Sequence, residues 1–582
     1  MTQQNLPKLR RVSQLIFLGL FLLHLHETEF RGSLKAANAD IHLSIPYPSI
    51  FLQSNPLVAI LSILTSHALY RGLVWSLTIL IPTFFLGRFF CGWICPLGTL
   101  NHFVSSWKSE RKRGPERLER NRYQKWQALK YYLLIAGLVL AIFGGSLLGI
   151  LDPISLTVRS LATAWLPAFN YALDGFIGVL RRSSAAPMSM RSVGSFAQVA
   201  LTETLLSFRQ PHFRQAFIVG AIFIAILALN LRVTRFWCRA LCPLGALLGI
   251  ASRWSILGLE KHPGQCDDCN HCLLDCQGGD DPHPHAKWRK AECHLCFNCV
   301  AECPVGPGFS PARAALKDGT TSSGGNGLRF KFFPSTPTTI EAPSLQRRRA
   351  LAGVAAGASL LPILRSSPAF AADKDPRLIR PPGALDENSF LARCIRCGAC
   401  MKVCPNNALQ PALWEAGVEG LWTPVLAPRI GYCEASCTLC GQVCPTGAIW
   451  QITQAEKAWL PASAARNVKP IRLGTAFYDR GRCLPWAMAT ECIVCEEWCP
   501  TSPKAIYLHP AEVPDATGNI KQVRQPYVDP DRCVGCGACE FACPVKGQPA
   551  IQIASIGESR SRTNQILLNR DAAGISESNA RQ

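Results

Sequence analysis

Twenty-eight cysteines stand among 582 residues, and nearly all fall in tight groups with two or three residues between neighbours. Thiols spaced this closely converge on one centre, so they read as ligands rather than as disulfide staples. The first groups are Cys266-x2-Cys269-x2-Cys272-x3-Cys276 and Cys293-x2-Cys296-x2-Cys299-x3-Cys303-Pro304. At this spacing three cysteines on a tight loop hold one face of a [4Fe–4S] cube, and the distant fourth belongs to the neighbouring cube. Cys303 is therefore expected to complete the first cluster and Cys276 the second. Gln277 stands where Pro is usual, which loosens the turn without removing a ligand. Zinc is the competing occupant, because CxxC pairs also suit tetrahedral sites. Two quartets in series with a trailing Cys-Pro favour iron and sulfide. With each quartet complete, His271, His283, His285 and His294 read as loop polar residues.

Four more quartets follow: Cys394, Cys397, Cys400 and Cys404; Cys433, Cys437, Cys440 and Cys444; Cys483, Cys492, Cys495 and Cys499; Cys533, Cys536, Cys539 and Cys543. Each last cysteine precedes a proline that turns the chain away from the cube. The third quartet is irregular, with Cys483 pulled upstream, and spacing leaves open whether fourth ligands are exchanged between neighbours or nested first with last. Short apolar runs, Ala448 to Ile452, Ala505 to Leu508 and Ala550 to Ile553, read as strands of an α+β ferredoxin-like fold. Six quartets, hence six [4Fe–4S] clusters, account for 24 of the cysteines.

The remaining four lie in an internal repeat. Arg88-Phe-Phe-Cys91-Gly-Trp-Ile-Cys95-Pro-Leu-Gly98 matches Arg235-Phe-Trp-Cys238-Arg-Ala-Leu-Cys242-Pro-Leu-Gly245 in all but the residues between the cysteines and one aromatic swap. Duplicated helix hairpins would bring Cys91, Cys95, Cys238 and Cys242 together. Four thiolates then either hold a further metal or iron–sulfur centre or act as redox or metal-handling thiols; the plain alternative is four reduced thiols in helix caps.

These sites need elements to carry them. The composition, 48% hydrophobic, is too apolar for a plain soluble enzyme, so part of the chain is expected in lipid. A net charge of +21 could suggest nucleic acid, but the basic residues sit beside apolar spans rather than on a base-reading motif, so no nucleic-acid partner is expected. Val12 to Leu25, Gly72 to Phe90, Tyr131 to Leu151 and Ala216 to Trp237 read as four crossings, Leu57 to Leu69 as interfacial, and the basic stretch Asn101 to Lys130 as a loop kept inside. A long outer loop should run from there to about Gln215. The fold class is multi-domain, an α-helical transmembrane bundle plus α+β ferredoxin-like [4Fe–4S] domains. The boundaries are 1–255 for the transmembrane domain, 256–304 for a cytoplasmic two-cluster domain, 305–346 for a flexible linker, 373–555 for an exported four-cluster domain and 556–582 for a disordered tail. Between linker and exported domain, 347–372 carries Arg347, Arg348 and Arg349, a weakly apolar run to Leu364 and Ala369-Phe370-Ala371. It reads as a twin-arginine-like signal or a fifth transmembrane segment, with anchor and cleavage at Ala371 both open.

His24, His26, Glu27, His67 and Arg71 at the outer helix ends are candidate bases for quinol, although such residues also serve as interfacial anchors. The sequence has no GxGxxG loop, no CxxCH haem site and no P-loop. Residues from about 70 to 304 resemble the membrane-bound ferredoxin-type subunit, the quinol dehydrogenase membrane component, of the periplasmic nitrate reductase system and its methylamine-utilisation counterpart. Residues from about 346 to 553, through PPGALDE, RCIRCGACMKVCP, GYCEASCTLCGQVCPTGAI and CLPWAMATECIVCEEWCP, resemble the exported ferredoxin-type partner. The resemblance implies a multi-pass protein of the bacterial inner membrane that passes electrons from membrane quinol toward a periplasmic redox enzyme or cytochrome. It implies an electron-transfer subunit rather than a stand-alone enzyme with catalytic residues of its own. The rival is a maturation or assembly factor using the CxxxCP thiols. Metal analysis of the purified protein should return about 24 iron atoms and matching sulfide for six cubes; zinc in their place would overturn the cubane reading.

Overall fold

The computed structural model describes residues 5–29, 49–68, 72–109, 114–182, 211–261, 269–280, 289–302, 328–332, 347–365, 375–459, 469–515, 517–561 and 564. Arg71, His283, His285, Cys266, Cys303 and the Ala369–Ala371 site lie outside them.

A layer of helices forms the middle of the molecule. Its members are α1 (Leu6–Glu27), α2 (Pro56–Ser66), α3 (Leu73–Leu86), α4 (Leu129–Ile142), α5 (Ala216–Leu229) and α6 (Arg347–Arg365). Among the described residues one helix, Lys125–Ile142, is long and apolar enough to cross a membrane, while Pro56–Ser66, Leu73–Leu86 and Ala216–Leu229 are shorter. Three of the four spans expected from hydropathy come out as shorter helices, for local reasons. Gly87, at φ +82°, ends α3 before Arg88, and Gly144, at φ +89°, follows the end of α4. Asn230 closes α5, its amide donating to the Ile226 and Leu227 carbonyls. The first helix has 22 residues, but Lys8, Arg10 and Arg11 occupy its opening turns. Two further expectations are corrected. The stretch read as interfacial is α2, whose Leu57, Val58, Ala59 and Leu61 are fully buried, as suits a helix apolar on every side. The supposed outer loop is helical over residues 153–182, through Pro153–Ser160, a π turn at Leu161–Trp165 and Leu166–Arg182. Asp152 caps that segment by accepting from the Ser155 N–H at 2.8 Å.

The helical layer is gripped at both ends. At one end Glu292 of the first cysteine module is buried against Lys130, Arg88 at 3.3 Å and the Tyr131 hydroxyl at 2.8 Å. Trp93 Nε1 donates to the Leu295 carbonyl at 3.0 Å. At the other end Ser146 donates to the carbonyls of Leu391 and Cys394 at 2.7 and 3.0 Å, and Arg396 donates back to the Ser146 carbonyl at 2.7 Å. Arg159 Nη1 donates to the Arg396 carbonyl, Gln215 Nε2 to the Pro411 carbonyl, and Lys402 pairs with Glu29 at 3.2 Å. Between these grips α4 contributes 14 residues, or about 21 Å of rise. On the outside of the layer apolar side chains face outward, including Leu15, Leu23, Val74, Ile81, Phe85, Phe217 and Ile224.

Strands are few and paired two by two: β1 (Leu257–Lys261) with β2 (Leu328–Phe332), β3 (Leu409–Pro411) with β4 (Pro424–Leu426), β5 (Thr475–Tyr478) with β8 (Ile551–Ala554), and β6 (Ile506–Pro514) with β7 (Ile520–Val528), all antiparallel. The linker expectation is corrected by β2, whose Leu-Arg-Phe-Lys-Phe alternation pairs with β1 from Leu257↔Phe332 to Lys261↔Leu328. Two of the three expected strand runs form β6 and β8. The run 448–452 does not, and makes one isolated bridge, Ala384↔Ile449.

The tail expected to be disordered from residue 556 is corrected over its first part, because Arg560 returns to the core. It pairs with Glu387 at 2.7 Å, and Glu387 also holds Arg380 at 2.5 Å. Burial alone would raise the Glu387 carboxyl, but Arg380 and then Arg560 hold it at about 2. Its contribution is complete above the unfolded carboxylate value of about 4.3 and fades as pH falls from there through about 2. Glu387→Gln should cost roughly 3 kcal/mol by stranding buried guanidinium charge. Denaturant unfolding should show this loss at pH 7 and a weaker acid dependence than the parent; an unchanged midpoint would contradict it.

Candidate iron–sulfur sites

Several ligand loops make a tight reversal through left-handed residues. Arg396 and Gly398, Leu295 and Phe297, and Gly535 and Gly537 all carry positive φ between or just before the ligands. Such alternation turns backbone N–H groups inward toward anionic sulfur, as where Leu295 N–H meets Cys293 Sγ at 3.4 Å. Space also demands glycine at 535, because a β-carbon there would lie 2.5 Å from the Gly474 nitrogen. A short helix then carries the third cysteine, Cys400, Cys440, Cys495 or Cys539, and aims the fourth away.

The fourth ligands are exchanged between neighbours. Cys444 stands among Cys394, Cys397 and Cys400, and Cys404 among Cys433, Cys437 and Cys440. A space of about 340 Å³ is lined by Cys483, Cys492, Cys495 and Cys543, and one of about 310 Å³ by Cys499, Cys533, Cys536 and Cys539. In the first module Cys276 sits with Cys293, Cys296 and Cys299, and Cys272 is close by; Cys269 lies nearby in the same loop. Among the described residues no three His, Cys, Asp or Glu side chains close around a single metal ion. Four thiols lining one space fit the corners of a cube. Burial pushes Cys397 and Cys437 up to about 12 and Cys495 to about 11, so loading these sites must release protons.

The spatial order of the four later sites differs from chain order. The site of Cys394 lies against the helical layer, beside Ser146 and Arg159. The site of Cys433 follows, and its Cys433 N–H donates to the Cys536 carbonyl at 2.8 Å, which makes the site of Cys533 next. The irregular site of Cys483 is last. Tyr432, Trp498 and Phe541, with ring centroids 5.4 to 5.9 Å apart, fill the join.

The CxxxCP repeat also converges. Cys91, Cys95, Cys238 and Cys242 are 7, 5, 5 and 4% exposed, and Cys242 lies within electrostatic reach of the other three. The copies match in detail: Gly98 N–H meets Cys95 Sγ at 3.4 Å and Gly245 N–H meets Cys242 Sγ at 3.2 Å, each at the start of a helix. Arg235 crosses from the second copy to the Cys91 carbonyl at 2.8 Å, while Arg88 of the first lies against Gly245. All four thiols sit at the end of the layer that meets the first module, where the Gly92 backbone packs on the His294 carbonyl.

Several contributors escape a reading by spacing. Lys457 Nζ lies 3.7 Å from Cys433 Sγ and donates to the carbonyls of Glu434 and Cys437, and the Tyr478 hydroxyl meets Cys495 Sγ at 3.1 Å. His294, expected to be a loop residue, is buried beneath Arg88 and Arg235. His271 opens a short helix in the first module, and His67 caps α2 in the left-handed region. His24 and His26 are on the last turn of α1, with Glu27 closing it, at the end where Glu29 meets Lys402.

Residues 68–115 and 215–258 match a family described as a 4Fe-4S binding domain, and residues 393–448 and 489–546 match one described as a 4Fe-4S dicluster domain. The methylamine utilization ferredoxin-type protein MauM of Paracoccus denitrificans is 35% identical over 206 residues, 34% of this chain and 78% of its own length. The ferredoxin-type protein NapG of Escherichia coli K12 is 34% identical over 178 residues, covering 30% of this chain and 69% of that protein. The chain belongs to the MauM/NapG family of ferredoxin-type proteins. The ferredoxin-type protein NapF of the same E. coli strain is 30% identical over 170 residues, 29% of this chain and 80% of NapF. No solved structure matches. As a MauM/NapG-type protein the chain is an iron–sulfur electron-transfer protein, and that membership rests on its ferredoxin part.

Ligand exchange has a distinct spectroscopic consequence. Cys444→Ser should alter the same paramagnetic centre as Cys397→Ser, and Cys404→Ser the same centre as Cys437→Ser, when EPR spectra of the reduced variants are compared. The opposite pairing would mean that each quartet closes on itself.

Proposed function

We propose that the chain is a membrane-bound quinol-oxidising electron-transfer protein, joining in one polypeptide a membrane component and an exported ferredoxin-type partner. It would carry electrons to a periplasmic redox enzyme or cytochrome. The observation that supports this reading best is the placement of two cysteine modules at opposite ends of one helical layer with apolar side chains on its outer face. Outward Leu, Ile, Val and Phe in such numbers are unfavourable in water and suit a lipid surround. The basic stretch that includes Arg117, Arg120, Arg122 and Lys130 lies at the first-module end, where Arg117 pairs with Asp275 and Lys130 with Glu292, as expected for the cytoplasmic side.

Bound [4Fe–4S] clusters supply one-electron redox chemistry over a potential range of about −700 to +450 mV. What the chain itself does is hold and order them. The Ser146–Arg396 and Arg159–Arg396 hydrogen bonds fix the Cys394 site on the helical layer. Tyr432, Trp498 and Phe541 exclude water at the join between sites, and the irregular Cys483 loop forms the far end, toward which a soluble partner would dock. Quinol would be oxidised at the end where His24 and His26 lie near the Glu29–Lys402 pair, since Lys402 closes the helix that carries Cys400. The CxxxCP thiols lie at the other end, so they do not bridge the rise of about 21 Å along α4.

A maturation role, with those thiols handing on a metal, requires that they reach a partner. Their burial under both copies of the repeat argues for a retained centre instead. Mixing the iron-replete protein with a reduced quinol analogue should bleach its visible absorbance, and His26→Ala should slow that bleaching about tenfold without loss of iron. Full iron content with no quinol reactivity would sink the proposal.

A further inference from the structure

The arginine-bearing helix α6 is docked on α4 through one narrow face. Gly353 and Gly357, four residues apart, are its buried positions, while Leu351, Val354 and Leu360 are exposed. A β-carbon on Gly357 would lie 2.8 Å from the Ala136 carbonyl oxygen, 3.1 Å from Val139 Cβ and 3.2 Å from Ala136 Cα. One on Gly353 would lie 3.5 Å from the Tyr132 oxygen, ordinary contact. The helices thus approach backbone to backbone at 357, where only glycine fits, and a little less closely at 353.

The register also gives a direction. Gly353 faces Tyr132 and Gly357 faces Ala136, so α6 and α4 run parallel. The amino end of α6 therefore points to the end of the layer where Lys130 meets Glu292, and its carboxyl end to the end where Ser146 meets Cys394. Its 19 residues rise about 28 Å, enough to traverse the layer. Small-xxx-small packing with an apolar outer face is how helices associate where water supplies no hydrophobic drive.

We propose that α6 is a permanent member of the helical layer, a retained anchor joining the two modules covalently, and not a leader removed at Ala371. The inference rests on the two-sided arrangement proposed above. A signal that is cleaved needs no fitted seat, whereas glycine at 357 makes sense only if the helix stays against Ala136.

The test uses the full chain with a C-terminal tag, purified in detergent, with a photoreactive phenylalanine analogue in place of Tyr132. The purified protein should have the mass of the whole chain, 63.7 kDa plus tag. Irradiation should link position 132 to a peptide from α6. Gly357→Leu should cut that cross-link at least tenfold, while Gly353→Ala and the outward Leu351→Ala should leave it intact. A tagged species beginning at residue 372, or a cross-link indifferent to Gly357→Leu, would overturn the proposal. Protease digestion of sealed spheroplasts carrying the same chain reports separately on the two-sided arrangement, so the two can fail independently.

Discussion

One buried carboxylate holds much of this architecture in place. Glu292 sits between Lys130, Arg88 and the Tyr131 hydroxyl, all buried, and burial of any of the three charges alone would be strongly destabilising. Burial would raise the Glu292 carboxyl, yet Lys130 and Arg88 bring it below its ordinary value, so it is charged and bound to the layer. Because Arg88 also opens the first CxxxCP copy, the same contact fixes the thiol quartet against the first module. Specificity is the gain: a module held by a buried triad has one seat and one orientation.

The second module is seated by a different device. Arg396 lies inside a ligand loop, between Cys394 and Cys397, yet its guanidinium reaches out to the Ser146 and Glu419 carbonyls. A residue that bridges ligand loop and helical layer ties the position of a cluster site to the position of the bundle. Exchange of the fourth cysteines extends this rigidity, since each of the four later sites includes a cysteine from its neighbour's loop. The outcome is a line of four sites leading away from the helices, ordered by Cys433–Cys536 backbone bonding rather than by sequence.

Much of the site chemistry is legible in the sequence because ligand loops are local: three cysteines within seven residues must lie on one turn whatever surrounds them. The repeat at Arg88 and Arg235 likewise announces that Cys91, Cys95, Cys238 and Cys242 meet. What is not legible is long-range. Nothing near Cys404 or Cys444 says which neighbour receives it, and the approach of Lys457 to Cys433 depends on a helix placed by packing. Helix lengths were overstated by hydropathy because Gly87, Gly144 and Asn230 end backbone regularity inside apolar runs. β2 hides in a stretch whose composition reads as linker, and Arg560 in a polar tail, because each is ordered by a partner far away in the chain, β1 and Glu387.

The parts together describe a conduit whose two cysteine modules are separated by a helical layer and joined by α6. That separation is the claim on which the functional reading stands. It is tested most directly by protease digestion of sealed spheroplasts, with tags marking residues near 290 and the C-terminus. The account predicts that residues 375–561 are cut from outside while the region around Glu292 is protected until the membrane is permeabilised. Protection of both regions, or cleavage of both, would place the modules on one side and contradict it.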